Sequence, residues 1–146
     1  MRNRLSVMHG VNLDALDRRP AEHYGGLTFS RLEQHIGHFA HDLGLEVRFF
    51  QTNFEGEYVE ELHKASDHSD ALLLNPGAWT HYSWAIRDAL ELTRVPAVEV
   101  HISDVDSREE WRRHSVFEGL VVGRVAGKGV DGYREALQML KDELST

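Results

Sequence analysis

The sequence contains no cysteine among its 146 residues, which excludes disulfide bonds, thiolate metal ligands and cysteine nucleophiles. It lacks an apolar run near the roughly 18–20 residues that a membrane-spanning helix needs, and the short apolar stretch after Arg4 does not predict a signal peptide. Basic residues are few: 16 Lys and Arg stand against 24 Asp and Glu, for a formal net charge of −8. Proteins that bind nucleic acid neutralise its phosphates with a basic face, so we expect no nucleic-acid partner. Because the sequence predicts neither a membrane-spanning helix nor a signal peptide, we also expect no membrane partner and a cytoplasmic location. A small anionic ligand is not excluded, since it needs only one local cationic pocket.

Strand-like and helix-like segments alternate along the chain. Ala71–Leu74 is a short, continuous apolar run, which is typical of a strand covered on both faces. The segment 28–43 instead carries its apolar residues at helical spacing, with Thr28 as the N-cap and Gly44 just beyond the end. By the same criteria we predict strands over 5–8, 45–50, 71–74, 97–100 and 120–122, and helices over 28–43, 55–68, 82–92, 107–114 and 131–144.

This alternation predicts a single α/β domain over residues 1–146. Strands joined by helices run parallel with right-handed crossovers, so we expect a flavodoxin-like three-layer sandwich with a five-stranded parallel sheet. Ligands of such sheets bind beyond the carboxyl ends of the strands, and the candidate polar clusters all follow predicted strands. A long polar segment over 11–26 follows the first strand, and loops of this length are often lids or binding loops.

The most informative cluster is Glu99-Val100-His101-Ile102-Ser103, at the end of the fourth predicted strand. Residues two apart on a strand face the same side, so the Glu99 carboxylate and the His101 imidazole can meet. The carboxylate would favour the protonated imidazole and fix its orientation, which makes His101 a candidate proton donor near neutral pH. The backbone N–H groups of Ile102 and Ser103 emerge at the strand end, where they could hold a carboxylate. A purely structural Glu–His pair is the alternative, although burying a charged pair at a ligand-binding edge is costly without a use.

The polar segment after the first strand holds a second candidate for acid–base chemistry. A tyrosine acts as a base only when its phenol, with an ordinary pKa of about 10, is stabilised in the ionised form. Tyr24 lies close in sequence to Arg19, and a guanidinium provides such stabilisation. The alternative for this segment is a solvated loop with an aromatic ring at its surface.

Other polar residues are compatible with either a binding or a structural role. Asn12 stands where Asn is commonly a turn residue. Asn75 and His81 flank a predicted helix start, where free N–H groups attract anions but where a residue can also simply begin the helix. Arg112 suits hydroxyl or carboxylate recognition, or belongs to a solvated basic turn. No HExxH or other motif with metal-ligand spacing is present, so we expect no metal site.

Seven motifs, in register from the first strand to Arg112, resemble the type II 3-dehydroquinate dehydratase family. They are His9-Gly10-Val11-Asn12-Leu13, Arg18-Arg19 with Tyr24-Gly25-Gly26, Asn53-Phe54-Glu55-Gly56-Glu57, Asn75-Pro76-Gly77-Ala78-Trp79-Thr80-His81, Arg87-Asp88-Ala89, Glu99-Val100-His101-Ile102-Ser103 and Arg108-Glu109-Glu110-Trp111-Arg112. The resemblance implies a flavodoxin-like subunit in a homo-oligomer, a dodecamer built from trimers. It also implies anti elimination of water from 3-dehydroquinate through an enolate to give 3-dehydroshikimate, without metal or cofactor. The reaction would serve the shikimate pathway or quinate catabolism.

The same resemblance implies roles for individual residues. Tyr24 is the base on a mobile lid over 18–26, and Arg19 is the lid arginine that favours tyrosinate. His101 is the acid that protonates the departing hydroxyl, Glu99 orients it, and Asn12 positions a water beside the enolate oxygen. The substrate-binding residues implied are Asn75, His81 and Arg112 for the ring hydroxyls, the backbone of Ile102 and Ser103 for the carboxylate, and Asp88 from a neighbouring subunit.

The sequence departs from the usual family pattern at five positions that are not matched catalytic residues: His9, Val11, Pro20, Asp104 and Asp106. Pro20 directly follows the lid arginine and could change how the lid closes. Asp104 adds negative charge near the expected carboxylate site. These departures leave two alternatives open: a non-catalytic binding protein that kept the fold and pocket, and a related lyase acting on another cyclic polyol acid.

Overall fold

The computed structural model describes residues 2–146, and its centre is a five-stranded parallel sheet in the order β2-β1-β3-β4-β5. The strands are β1 (Arg4–His9), β2 (Glu46–Gln51), β3 (Ala71–Asn75), β4 (Ala97–His101) and β5 (Gly123–Ala126). The α-helices are α1 (Ala21–Tyr24), α2 (Phe29–Asp42), α3 (Glu55–His68), α4 (Trp84–Thr93) and α5 (Asp131–Leu144). Short 3-10 helices span Leu13–Arg18, Gly77–His81, Val105–Ser107 and Glu110–Arg113. The predicted α/β class and parallel sheet are confirmed.

Helices cover the sheet on both faces, and this arrangement produces the three predicted layers. Strand β1 shows the alternation: Leu5 and Val7 pack with α2 and α5 on one face, and Met8 packs with α3 and α4 on the other. All five residues of β3 are buried, as expected for a strand covered on both sides. Removal of these apolar side chains from water is the main force that holds the layers together.

Side-chain caps set the helix boundaries. The Thr28 hydroxyl accepts a hydrogen bond from the backbone N–H of Arg31 at 3.2 Å, and Gly44 follows α2 with a φ of +72°, both as predicted. Helix α4 begins at Trp84 rather than at the predicted residue 82, because the Ser83 hydroxyl accepts from the N–H of Ile86 at 3.1 Å and caps the helix there.

The prediction of a fifth strand over 120–122 is wrong, because β5 lies at Gly123–Ala126. The apolar character of 120–122 has another cause: Leu120 and Val121 pack against the α3 and α4 face of the core before the chain enters the sheet. Because β5 is an edge strand, it lacks the continuous apolar run of a central strand. The range 107–114, predicted as a short helix, contains the 3-10 helix Glu110–Arg113, and a second 3-10 helix, Val105–Ser107, lies just before it. The predicted loop over 11–26 contains a 3-10 helix and α1.

Candidate functional site

A cavity of about 440 Å³ opens at the carboxyl ends of β1, β3 and β4. This is the edge at which parallel sheets bind ligands. Nine of the eleven predicted site residues line it: Asn12, Arg19, Tyr24, Asn75, His81, His101, Ile102, Ser103 and Arg112. The cavity also contains Arg18 and Arg108, so several guanidinium groups face it despite the negative net charge of the chain.

Two glycines allow the loops after β1 and β3 to pack directly against each other. A Cβ atom on Gly10 would lie 2.2 Å from the carbonyl oxygen of Pro76. A Cβ atom on Gly77, whose φ is +67°, would lie 2.6 Å from the carbonyl oxygen of Val11. A side chain at either position would separate the loops, so the glycines bring Asn12 and Asn75 to the same cavity.

Glu99 and His101 form the pair that the sequence predicted. The His101 Nε2 lies 2.6 Å from Glu99 Oε2, and His101 lines the cavity while Glu99 is fully buried behind it. Glu99 also accepts hydrogen bonds from the Ser115 hydroxyl at 2.6 Å and from the Arg124 Nε at 3.0 Å. Burial raises the pKa of Glu99, but the hydrogen bonds from His101 and Ser115 and the charge of Arg124 outweigh burial and lower it overall. Glu99 is therefore a carboxylate at neutral pH, and the Nδ1 of His101 is the nitrogen left for a ligand.

His81 lies beside His101, with ring centroids 6.0 Å apart. Its Nδ1 is 2.6 Å from the carbonyl oxygen of His114, which fixes Nδ1–H as the donor. Burial is the largest cause that lowers the pKa of His81, and the charges of His101 and Arg112 lower it further. A neutral His81 offers its Nε2 as an acceptor, which suits a ligand hydroxyl.

The base candidate, Tyr24, is held by two arginines in different ways. The guanidinium of Arg19 lies 4.8 Å from the centre of the Tyr24 ring, on its face. The hydroxyl instead accepts a hydrogen bond from Arg108 Nη1 at 2.9 Å, and the same nitrogen donates to the Ser103 hydroxyl at 3.1 Å. Arg108 belongs to one of the seven family-like motifs, but its role in the site was not predicted from the sequence. The signal available in the sequence was a cationic residue on the segment that follows the fourth strand, at the edge where ligands bind.

Asn12 and Asn75 are oriented by neighbours that the sequence analysis did not single out. The Asn75 amide donates to the Tyr133 hydroxyl at 2.8 Å, and its oxygen accepts from the N–H of Gly77 at 3.3 Å. The Asn12 backbone is left-handed, with a φ of 70°, and its N–H donates to the Asn53 side chain at 2.8 Å. The Asn75 amide and the Asn12 backbone are therefore held at the cavity wall before a ligand arrives.

The segment at the end of β4 is fixed by the loop that precedes α5. The carbonyl oxygens of Ile102 and Ser103 accept hydrogen bonds from the N–H groups of Gly129 at 3.2 Å and Gly127 at 3.0 Å. Arg112 is held separately: its Nε lies 2.9 Å from a Glu109 oxygen, and its guanidinium stacks 4.1 Å from the centre of the Trp111 ring.

Asp88 is not part of this cavity. It lies on the exposed side of α4, and the structure of one chain does not bring it to the other predicted site residues. Of the five departures from the family pattern, Val11 alone lines the cavity. His9 is fully buried outside the cavity lining, and Asp106 lies 3.7 Å from Arg124. Within residues 2–146, no helix is long and apolar enough to cross a membrane, and no group of three or more His, Asp or Glu side chains could hold a metal ion.

The sequence profile of the family described as Dehydroquinase class II matches residues 3–141. A 3-dehydroquinate dehydratase of Syntrophotalea carbinolica is 46% identical over 132 residues, which cover 90% of this chain and 89% of the relative. The crystal structure of a type II dehydroquinase from Butyrivibrio crossotus superposes with a TM-score of 0.91 at 38% identity, over 95% of this chain and 97% of that one. The type II dehydroquinase of Propionibacterium acnes gives a TM-score of 0.90 at 39% identity, over 97% and 98% of the two chains.

Proposed function

The chain belongs to the class II dehydroquinase family, and we propose that it removes water from 3-dehydroquinate to give 3-dehydroshikimate. One observation carries the proposal beyond the family: a tyrosine whose hydroxyl contacts a guanidinium and a histidine backed by a buried carboxylate line the same cavity. A base and an acid in one cavity are what the elimination of water requires.

The reaction proceeds in two steps that share these groups. Tyrosinate at Tyr24 takes the proton next to the ketone, and the electron pair of the broken C–H bond forms an enolate. Charge develops on the enolate oxygen, which a water held by Asn12 stabilises. The enolate then collapses to the conjugated enone, the C–O bond breaks, and His101 gives its proton to the departing hydroxyl. The substrate has lost one proton and one hydroxide, so the product differs from it by one water.

Arg19 and Arg108 both contact the tyrosine that acts as the base. Arg108 donates directly to the hydroxyl, and Arg19 lies on the ring face, so both place positive charge next to Tyr24. Both Arg19 and Tyr24 belong to the segment 18–26, which we propose to be the lid of a single catalytic domain spanning 1–146. Closure of such a lid excludes water and completes the site.

The remaining polar groups hold the substrate. Asn75, His81 and Arg112 bind the ring hydroxyls, and the backbone N–H groups of Ile102 and Ser103 bind the carboxylate. Asp88 completes the site only if it comes from a neighbouring copy, which fits its exposed position on α4. We accordingly propose a cytoplasmic homo-oligomer, a dodecamer built from trimers, in which each site contains residues of two chains.

A direct turnover assay tests the proposal. Purified protein is mixed with 3-dehydroquinate in the presence of a chelator, and the ultraviolet absorbance of the conjugated enone is followed. We expect the absorbance to rise at a rate that the chelator does not change. No rise in absorbance from folded protein would overturn the proposal. Turnover of quinate would then indicate a lyase with a different substrate, and binding of 3-dehydroshikimate without turnover would indicate a binding protein.

The role of Tyr24 is tested with Tyr24→Phe against Tyr82→Phe. Both variants remove one phenolic hydroxyl, but Tyr82 is 57% exposed and lies outside the cavity lining. We expect Tyr24→Phe to lower kcat by at least about 100-fold while the Kd for 3-dehydroshikimate changes little, because the hydroxyl acts on a proton in the transition state. Tyr82→Phe should turn over normally. Normal turnover by folded Tyr24→Phe would show that the base has been assigned to the wrong residue.

A further inference from the structure

Arg124 contacts the Glu99–His101 pair from the neighbouring strand, β5. In the β4–β5 ladder Glu99 pairs directly with Arg124, so the two side chains stand on the same face of the sheet. Arg124 Nε lies 3.0 Å from Glu99 Oε2, the same oxygen that lies 2.6 Å from His101 Nε2. Arg124 does not line the main cavity and has no direct route to a ligand there.

This arrangement makes the guanidinium and the imidazole share one carboxylate charge. Glu99 is fully buried, and an isolated buried carboxylate is strongly unfavourable. If His101 were the only cation near it, the pair would hold the imidazole proton tightly, because losing that proton would leave the buried charge unpaired. With Arg124 present, Glu99 stays paired whether His101 is protonated or neutral.

We infer that Arg124 is a positioning residue whose charge neutralises Glu99 and thereby lets His101 give up its proton during turnover. The inference rests on the proposed function, in which His101 is the acid. It assigns Arg124 an indirect role, through Glu99, rather than contact with the substrate.

Other ionisable groups also face His101 and enter its titration. His81 stacks against the ring from the 3-10 helix that follows β3, and Arg112 lies nearby on the segment after β4. Tyr24, Arg18, Arg19 and Arg108 also line the cavity, and Arg124 Nη1 lies 3.7 Å from Asp106 Oδ1. Besides Arg124, the ionisable groups around His101 are therefore Glu99, His81, Arg112, Tyr24, Arg18, Arg19, Arg108 and Asp106. A test must therefore change the charge of Arg124 and leave these groups in place.

Arg124→Met removes the charge but keeps most of the apolar stem, and Arg124→Lys keeps the charge. Arg134→Met is the matched control, because it removes one arginine charge from α5, where the guanidinium stacks on Phe39. The first measurement is the pH titration of the His101 ring by NMR of ¹³C-labelled histidine, assigned with His101→Asn. The second is the pH dependence of kcat with 3-dehydroquinate.

We expect the pH midpoint at which His101 loses its proton to rise by about one unit in Arg124→Met, and to return most of the way in Arg124→Lys. The alkaline limb of kcat should move in the same direction, and kcat should fall about 10-fold because a more firmly held proton is donated less readily. KM should stay within about twofold, since Arg124 lies behind the acid. Arg134→Met should match the native protein in every readout.

An unchanged His101 titration in folded Arg124→Met would overturn the inference, even if the variant lost thermal stability. Should Arg124→Met fail to fold, Arg124→Gln, which keeps a donor to Glu99 without the charge, gives the same test. A native protein that does not turn over 3-dehydroquinate would overturn the proposed function, but a shifted titration would still support the charge relation between Arg124 and His101. The two failures are thus distinguishable.

Discussion

The burial of His9 predicts that the protein loses stability in acid, independently of the active-site chemistry. Its imidazole is fully buried, lies 4.9 Å from the centre of the Phe29 ring and stacks near Phe49, and neither ring nitrogen has a hydrogen-bond partner among residues 2–146. Burial lowers the pKa of His9 from 6.5 to about 3, because the charged ring would have neither water nor a partner. The folded protein therefore keeps His9 neutral over the whole range in which an unfolded histidine becomes charged.

The size of the effect follows from the two pKa values. As pH falls below 6.5 the unfolded chain binds a proton at His9 and the folded chain does not, so the free energy of unfolding decreases until the pH reaches the folded value of about 3. Between pH 8 and pH 5 the loss from this one group is about 2 kcal/mol. The result at pH 5 is almost the same for any folded pKa of about 4 or below, so it depends mainly on the imidazole being buried and unpaired.

His9→Leu isolates this contribution, because leucine is similar in size and does not titrate. The free energy of unfolding is measured by urea denaturation at pH 8 and pH 5 for both proteins, at one protein concentration so that any self-association contributes equally. We expect the native protein to lose about 2 kcal/mol more than His9→Leu between the two pH values. At pH 8 the variant should stay within about 1 kcal/mol of the native protein, since an apolar side chain needs no hydrogen-bond partner. Equal losses in the two proteins would refute the assignment of His9 as a buried neutral imidazole.

Two further predictions concern the loops around the cavity. Arg108→Met should lower kcat by about 100-fold or more, because it removes the donor to Tyr24 and Ser103. Arg108→Lys should recover part of the lost kcat, because lysine supplies the charge without the forked guanidinium. Steady-state kinetics of both variants test this, and a native kcat in Arg108→Met would contradict it. Gly77→Ala should lower the free energy of unfolding by about 1–3 kcal/mol, because the backbone has a positive φ and the new Cβ would meet the carbonyl of Val11. Urea denaturation measures the loss. An unchanged denaturation midpoint would mean that the two loops can separate without cost.

The parts of the fold that were predicted correctly are those with a strong local pattern. Strand β3 is apolar throughout because both faces are buried, and α2 has both its caps in the sequence. Strand β5 was misplaced because an edge strand needs no such pattern, and the apolar residues just before it serve a different layer of the core. Local periodicity cannot distinguish an apolar residue that packs under a helix from one that lies in the sheet.

The same distinction applies to the site. Glu99 and His101 are two residues apart on one strand, so their contact was predictable from the sequence. The contact between Arg108 and Tyr24 joins residues 84 apart, and that between Arg124 and Glu99 depends on the register of two strands. Neither follows from the spacing of residues along the chain, and both require the fold.

The shared donor of Arg108 limits how this cavity can change during evolution. One nitrogen donates to both the hydroxyl of Tyr24 and that of Ser103, so in the proposed mechanism the base and the ligand-binding end of β4 depend on the same side chain. A mutation that adapted Arg108 to a different acid group on the ligand would also alter the base, and it would be selected on the sum of both effects. We therefore expect changes in ligand preference to arise first at positions that contact the ligand but not the base. Val11 is such a position, because it lines the cavity and makes no polar contact through its side chain.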